Sequence, residues 1–167
     1  MDLPLALPPG TSCWTGESLD AQLHEVVDEI GARSAKAQGI KNPFTSASKL
    51  IDSDHRLHVV CNDEGTQMLG FIKIGTKHLY YYAKDGSLTE MDPLCVLDFY
   101  VHESCQRMGL GQTLINGMLN VEGVAISELA WDNPSPSSFG LLRKHYGLSE
   151  YVDQPNHYVL FSQYFER

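Results

Sequence analysis

Cysteine is sparse and unpaired in this chain. Cys13, Cys61, Cys95 and Cys105 form no C-x-x-C pair, and their spacing fits no zinc framework. No metal site is expected, and the four thiols read as reduced, as in a cytosolic protein. Long apolar runs are missing as well. None approaches the ~20 residues that a membrane-spanning helix needs, and the short, proline-broken start lacks the basic region of a secretory signal. A membrane partner is therefore not expected. Positive charge is scarce: 12 Lys and Arg stand against 21 Asp and Glu, a net charge of −9. Such a surface repels a phosphate backbone, so nucleic acid is not expected as a partner either. There is no internal repeat, low-complexity tract or linker.

What is present is ordinary globular composition, with 43% hydrophobic and 20% charged residues in 167 positions. That length suits a single domain over residues 1–167. Residues 1–16, with Pro4, Pro8, Pro9 and Gly10, read as an irregular lead-in. Leu19, Leu23, Val26, Val27 and Ile30 recur at helical spacing, and Ser18 and Gly39 are the cap and stop that this helix predicts. Residues 40–53 read as a loop with one short helical turn. Strands are expected at 57–61, 68–74 and 77–83, with a turn at Asp85-Gly86. Residues 94–102 are nearly continuous apolar, as a central buried strand would be. A helix with Leu114 and Met118 on its face follows, then a strand at 125–131. A second helix begins near Ser135–Ser138 and is stopped by Gly147. A last aromatic strand is expected at 158–165. The order predicts a mixed α/β fold, with a β-α-β unit at 94–131.

The segment Gln106-Arg107-Met108-Gly109-Leu110-Gly111 follows the strongest strand and opens a helix. A helix N-terminus exposes unpaired N–H groups and carries roughly half a positive charge. Glycines let the backbone approach an anion closely. The combination makes a pyrophosphate site that needs no net positive charge on the protein. A plain turn and helix start would look the same. A dinucleotide fingerprint is a second alternative, because Asp132 lies about 20 residues on. Against that stand Leu114 in place of a third glycine, the preceding strands that look antiparallel, and the little chain that remains.

Gln-Arg-x-Gly-x-Gly, in this element order, is similar to the acetyl-CoA loop of the GNAT superfamily. Longer segments resemble the α-tubulin N-acetyltransferase family within it. They are Ser34-Ala35-Lys36-Ala37-Gln38, Thr45-Ser46-Ala47-Ser48, Gly70-Phe71-Ile72-Lys73, Lys144-His145-Tyr146 and, above all, Pro93-Leu94-Cys95-Val96-Leu97-Asp98-Phe99-Tyr100-Val101-His102-Glu103-Ser104. The resemblance implies a splayed central strand with helices on both sides and acetyl-CoA in the gap. It implies acetyl transfer to a lysine of α-tubulin, and a place in the cytoplasm on microtubules, including those of the axoneme of a cilium or flagellum.

Carried over, the resemblance implies cofactor contacts at Phe99, Tyr100, Val101, His102, Gln106, Arg107, Met108, Gly109, Leu110, Gly111 and Gln112, and a second cofactor segment with Ser135, Ser138 and Lys144. It implies catalytic importance for Gln38, Cys95 and Asp132, and substrate contacts at Lys73, Lys77, His78 and Tyr158. Read without it, Cys95 is a small buried hydrophobe, Asp132 is turn chemistry before Pro134, Gln38 ends a helix, and Asp98 is a structural hydrogen-bonder. The family commonly has Asp-Arg-Pro-Ser where this chain has Asp132-Asn133-Pro134-Ser135, and a denser lysine cluster near Lys73, Lys77 and His78. Both departures remove positive charge, which a protonated His78 would partly restore. Asp132 is the expected general base, with Cys95 second, in a direct attack without an acetyl-cysteine. A GNAT enzyme with another amine or protein acceptor, or a non-catalytic microtubule-binding module, are the alternatives.

Overall fold

The protein is described by a computed structural model over residues 5–106 and 108–166. Its first long helix, α1, runs Ala21–Gln38. The predicted spacing holds: Val27, Ile30, Gly31, Ser34 and Ala35 are buried, at i, i+3, i+4, i+7 and i+8. Its cap is Asp20, two residues beyond the expected Ser18. The Asp20 carboxylate accepts the Leu23 N–H at 2.9 Å. Gly39 ends the helix in the left-handed region at φ 70°. The loop at 40–53 contains the short helix α2, Ala47–Ile51, capped by Ser46.

The strands are β1 (Gly10–Trp14), β2 (Arg56–Cys61), β3 (Met68–Thr76), β4 (Leu79–Tyr82), β5 (Leu88–Met91), β6 (Leu94–Val101), β7 (Leu129–Asp132) and β8 (Tyr158–Val159). Helix α3 spans Leu110–Glu122 and α4 spans Pro136–Tyr146. Three expectations need correction. Residues 1–16 are not irregular throughout, because β1 pairs antiparallel with β2 from Gly10↔Cys61 to Trp14↔Leu57. The 125–131 strand starts only at Leu129, after a 3-10 turn at Ile126–Glu128. The final strand is two residues long, and a 3-10 turn at Ser162–Phe165 takes the rest.

The chain forms two compact units. The first comprises the described residues of Met1–Ile74 and Asp98–Met118, the second Gly75–Leu97 and Leu119–Arg167 up to residue 166. In the first unit β1, β2, β3 and the second half of β6 are neighbours in that order. Its core joins Val27 and Ile30 of α1, Ala47 and Leu50 of α2, and Trp14, Leu57, Val59, Phe71 and Tyr100 of the strands. In the second unit the first half of β6 runs parallel to β7, and β7 runs antiparallel to β8. The β4–β5 hairpin is a separate two-stranded sheet. That core holds Leu79, Tyr81, Cys95, Leu97, Ala130 and Leu160. The mixed α/β class expected from the element order is what forms. Among the described residues no helix is long and apolar enough to cross a membrane.

Gly31 shows how tightly the loop after α1 is drawn in. A Cβ there would lie 1.9 Å from the carbonyl oxygen of Thr45. Gly140, inside α4, has nothing within 4 Å of the same position. Gly31→Ala is expected to cost about 1–3 kcal/mol by overpacking, while Gly140→Ala gains about 0.5–1 kcal/mol from helix propensity. Thermal unfolding of the two variants checks this, and a stabilised Gly31→Ala would contradict the packing described.

Candidate active site

A carboxylate enclosed by donors lies at the centre of the first unit. Asp98 is 6% exposed. Its Oδ1 accepts from the Ser34 hydroxyl at 3.2 Å, the Gln38 amide nitrogen at 3.1 Å and the Phe99 backbone N–H at 3.0 Å, and its Oδ2 from the Thr45 hydroxyl at 2.7 Å. Burying a charge costs several kcal/mol unless donors replace water, so these bonds fix the residues that supply them. Gln38 is held twice, since its amide nitrogen also donates to Ser34 at 2.9 Å. Both bonds use the nitrogen. The amide of an otherwise exposed residue is thereby locked in one orientation. Asp98 is thus the structural hydrogen-bonder that its place in an apolar strand suggests, and Ser34 and Thr45 join it. Their signal in the sequence was the Ser34–Gln38 and Thr45–Ser48 segments, not any local periodicity.

The same unit carries the first expected cofactor segment. Tyr100 is buried; Phe99, Val101 and His102 are partly exposed. The Gln106 side chain donates to the Val101 carbonyl at 3.1 Å, which ties the loop back to the strand end. Arg107 lies outside the described residues. Met108 is 70% exposed. Gly109 has φ +78°, with nothing within 4 Å of where a Cβ would stand. It precedes Leu110, the first residue of α3. A glycine has no side chain to cap a helix, so the first N–H groups of α3, at Leu110, Gly111 and Gln112, receive no side-chain cap from it. That donor set suits a pyrophosphate. Lys73 departs from expectation. It is 5% exposed, and its ammonium donates to the Phe44 carbonyl, so it presents no surface charge.

The second unit brings three of the expected residues onto one face. Cys95 pairs with Ala130 across the parallel ladder, and Asp132 pairs with Tyr158 across the antiparallel one. Residues 130 and 132 point the same way from β7, and Cys95 packs with Ala130, Leu160 and the partly buried Tyr158. The β6–β7 register ends at Val96↔Trp131 while β6 continues to Val101, so the ladder stops early. Burial pushes the Cys95 thiol up to about 12; a backbone hydrogen bond from Lys77 opposes it, and the nearby Asp132 charge adds a smaller push upward. Tyr158 is raised by burial first and then by Asp132 and Cys95.

The residue after Asp132 adopts a left-handed backbone conformation. Asn133 has φ 42°, a left-handed conformation that asparagine tolerates better than most side chains. Its N–H donates to the His157 carbonyl at 3.0 Å. Ser135 caps α4, accepting the Ser138 N–H at 3.2 Å, and Pro136 occupies the first turn. Ser138 is buried and Lys144 exposed. His78 is exposed, with Nδ1 2.8 Å from Asp92 and Nε2 3.1 Å from Glu90. The Asp92 and Glu90 hydrogen bonds raise its pKa, so its charge is favoured. Two carboxylates nonetheless outweigh one imidazolium, so the trio adds no net positive charge. Lys77 is half-buried beside them.

The thiol shifts give a direct chemical test. Thiolates react and thiols do not. A thiol at about 12 is ionised in roughly one molecule in ten thousand at pH 8. Cys61, raised to about 11 by burial, behaves alike. Iodoacetamide on the folded protein is expected to label the half-buried Cys105 and spare Cys61 and Cys95, while urea exposes all four. Rapid labelling of Cys95 in the native state would contradict the burial described.

The family model described as GNAT acetyltransferase, Mec-17, matches residues 6–167. Curated proteins named α-tubulin N-acetyltransferase are similar to the chain. The Tetrahymena thermophila protein is 42% identical over 98% of this chain and 40% of its own length. The Anopheles gambiae protein is 44% identical over 87% of this chain and 30% of its own. For the Phytophthora infestans protein the figures are 39%, 86% and 89%. The chain thus spans less than half the length of the first two. Among solved structures, a tyrosine-to-phenylalanine mutant of the AtaT toxin shares the fold, with a TM-score of 0.59 and 14% identity over 96% of this chain and 94% of that one. The same mutant bound to acetyl-CoA and the C-terminus of the antitoxin AtaR gives a TM-score of 0.55 at 16% identity, covering 90% of each chain. The chain belongs to the family of GNAT acetyltransferases described as Mec-17.

Proposed function

We propose that this chain transfers an acetyl group from acetyl-CoA to a lysine of α-tubulin, in assembled microtubules including those of ciliary axonemes. The observation that carries the reading is the shared face of Asp132, Cys95 and Tyr158, one carboxylate beside two groups that burial keeps protonated. The relatives named for this activity support the substrate.

Acetyl-CoA supplies a thioester carbonyl open to attack by an amine; the new C–N bond replaces the C–S bond, and coenzyme A leaves as a thiolate that is protonated on release. An unperturbed lysine, with a pKa near ~10.4, is almost wholly protonated at neutral pH and must lose a proton to attack. Asp132 takes that proton. It is the carboxylate of the trio, beside two groups whose protons are held by burial above all and by its own nearby charge to a lesser degree. Cys95, protonated and fully buried, does not compete as a base or a nucleophile. It shapes the wall of the acceptor channel. Gln38, locked by Asp98 and Ser34, positions substrate or water with its amide oxygen. The N–H groups that follow Gly109 hold the cofactor's pyrophosphate, and a backbone N–H between Phe99 and Val101 polarises the carbonyl.

Steady-state transfer to assembled microtubules, beside free polyamines, tests the reading. Asp132→Asn is expected to lower kcat by about 10²–10⁴ with little change in the KM for acetyl-CoA, and Cys95→Ala to act far more weakly. Unchanged kcat in Asp132→Asn would remove Asp132 as the base. Turnover on small amines alone would leave the chemistry and move the acceptor, and microtubule binding without turnover would favour a non-catalytic module.

A further inference from the structure

His102 closes β6, and its ring is flanked by donors on both edges. On one side Nη1 of Arg33, from α1, lies 3.2 Å from Nε2. On the other, the Ser104 backbone N–H lies 3.2 Å from Nδ1, with the Ser104 hydroxyl at 2.8 Å. A guanidinium and a backbone N–H only donate, whereas a neutral imidazole has one acceptor nitrogen. The ring cannot satisfy both. It therefore has two arrangements. In the first, Nδ1–H donates to the Ser104 hydroxyl and Nε2 accepts from Arg33. In the second, Nδ1 accepts the Ser104 N–H and caps the 3-10 turn at Glu103–Cys105. Nε2–H then points outward, and Arg33 must leave.

Arg33 is loosely held otherwise. Its side chain is 46% exposed, and its ion pair with Glu29 is 3.4 Å long, one helical turn away. Glu103, within electrostatic reach, adds a further attraction. The turn that the His102 ring can cap leads into Gln106, and Gly109 then precedes α3. An arginine parked on a neutral ring nitrogen gains far more from an anion than from an imidazole.

We propose that Arg33 is a ligand for a phosphate group of the cofactor, and that His102 is its resting place. This rests on the reading of the loop as a coenzyme A site. When a phosphate draws Arg33 away, the ring changes tautomer and caps the turn. Binding of the anion and ordering of the loop's start are thereby linked. Nothing in the local sequence shows the pair, since the two residues are 69 positions apart.

Nitrogen NMR of ring-labelled histidine, with calorimetry of free coenzyme A, tests this. The free chain is expected to carry the His102 proton on Nδ1, and saturating coenzyme A to move it to Nε2. Arg33→Ala is expected to show the Nε2–H form without ligand, to bind coenzyme A about tenfold more weakly, and to keep its melting temperature and its KM for the lysine acceptor. Arg33→Lys, which keeps the charge, recovers part of the affinity. A ring tautomer unmoved by saturating coenzyme A, or equal affinity in Arg33→Ala, overturns the proposal while leaving the coenzyme site intact. Failure of the unaltered chain to bind coenzyme A at all overturns the functional reading itself.

Discussion

A buried carboxylate constrains the first unit more than any other group. Asp98 sits in the middle of β6, almost wholly buried, and four protein donors stand where solvent would otherwise bond its carboxyl oxygens. Those donors come from the last turn of α1, from the loop before α2 and from β6 itself. The end of α1 must therefore stop where Gln38 can reach Oδ1, and the loop must pass close enough for Thr45 to reach Oδ2. Gly31 allows that approach, because any side chain there would strike the Thr45 carbonyl. One set of hydrogen bonds thus places the Gln38 amide, shapes a loop and selects a glycine.

A different constraint rules the second unit. Cys95, Asp132 and Tyr158 share a face, and burial acts on them unequally. Burial is the main reason that the thiol and the phenol hold their protons, while Asp132 is half-buried at the end of β7. A cysteine held in this way is a poor nucleophile.

Much of the fold was legible because it rests on periodicity. The apolar stripe of α1, the continuous run of β6 and the glycine stops at 39 and 147 all follow from local rules. Other features were hidden for physical reasons. Thr11-Ser12-Cys13 has no alternating pattern, and β1 exists because β2 offers it an edge. Leu88-Thr89-Glu90-Met91, to which the pattern assigns no element, pairs with β4. The aromatic tail at 158–165 looked like a strand, but its second half coils into a 3-10 turn. In the site, the glycine loop was visible from spacing. The Asp98 network was not, because its side-chain donors lie 53 to 64 positions away. Lys73 misled for a related reason. Its strand is buried on both faces, so alternation gives no sign that the ammonium turns inward to a carbonyl.

Direct transfer, with the carboxylate as base and the thiol as a bystander, is the central claim. Single-turnover quench with labelled acetyl-CoA and assembled microtubules tests it most directly, by following where the label first becomes covalently attached to protein. Label that appears on an α-tubulin lysine with no lag, and never on Cys95, is the expected result. An acetyl-Cys95 species that forms and decays at the rate of transfer would contradict it.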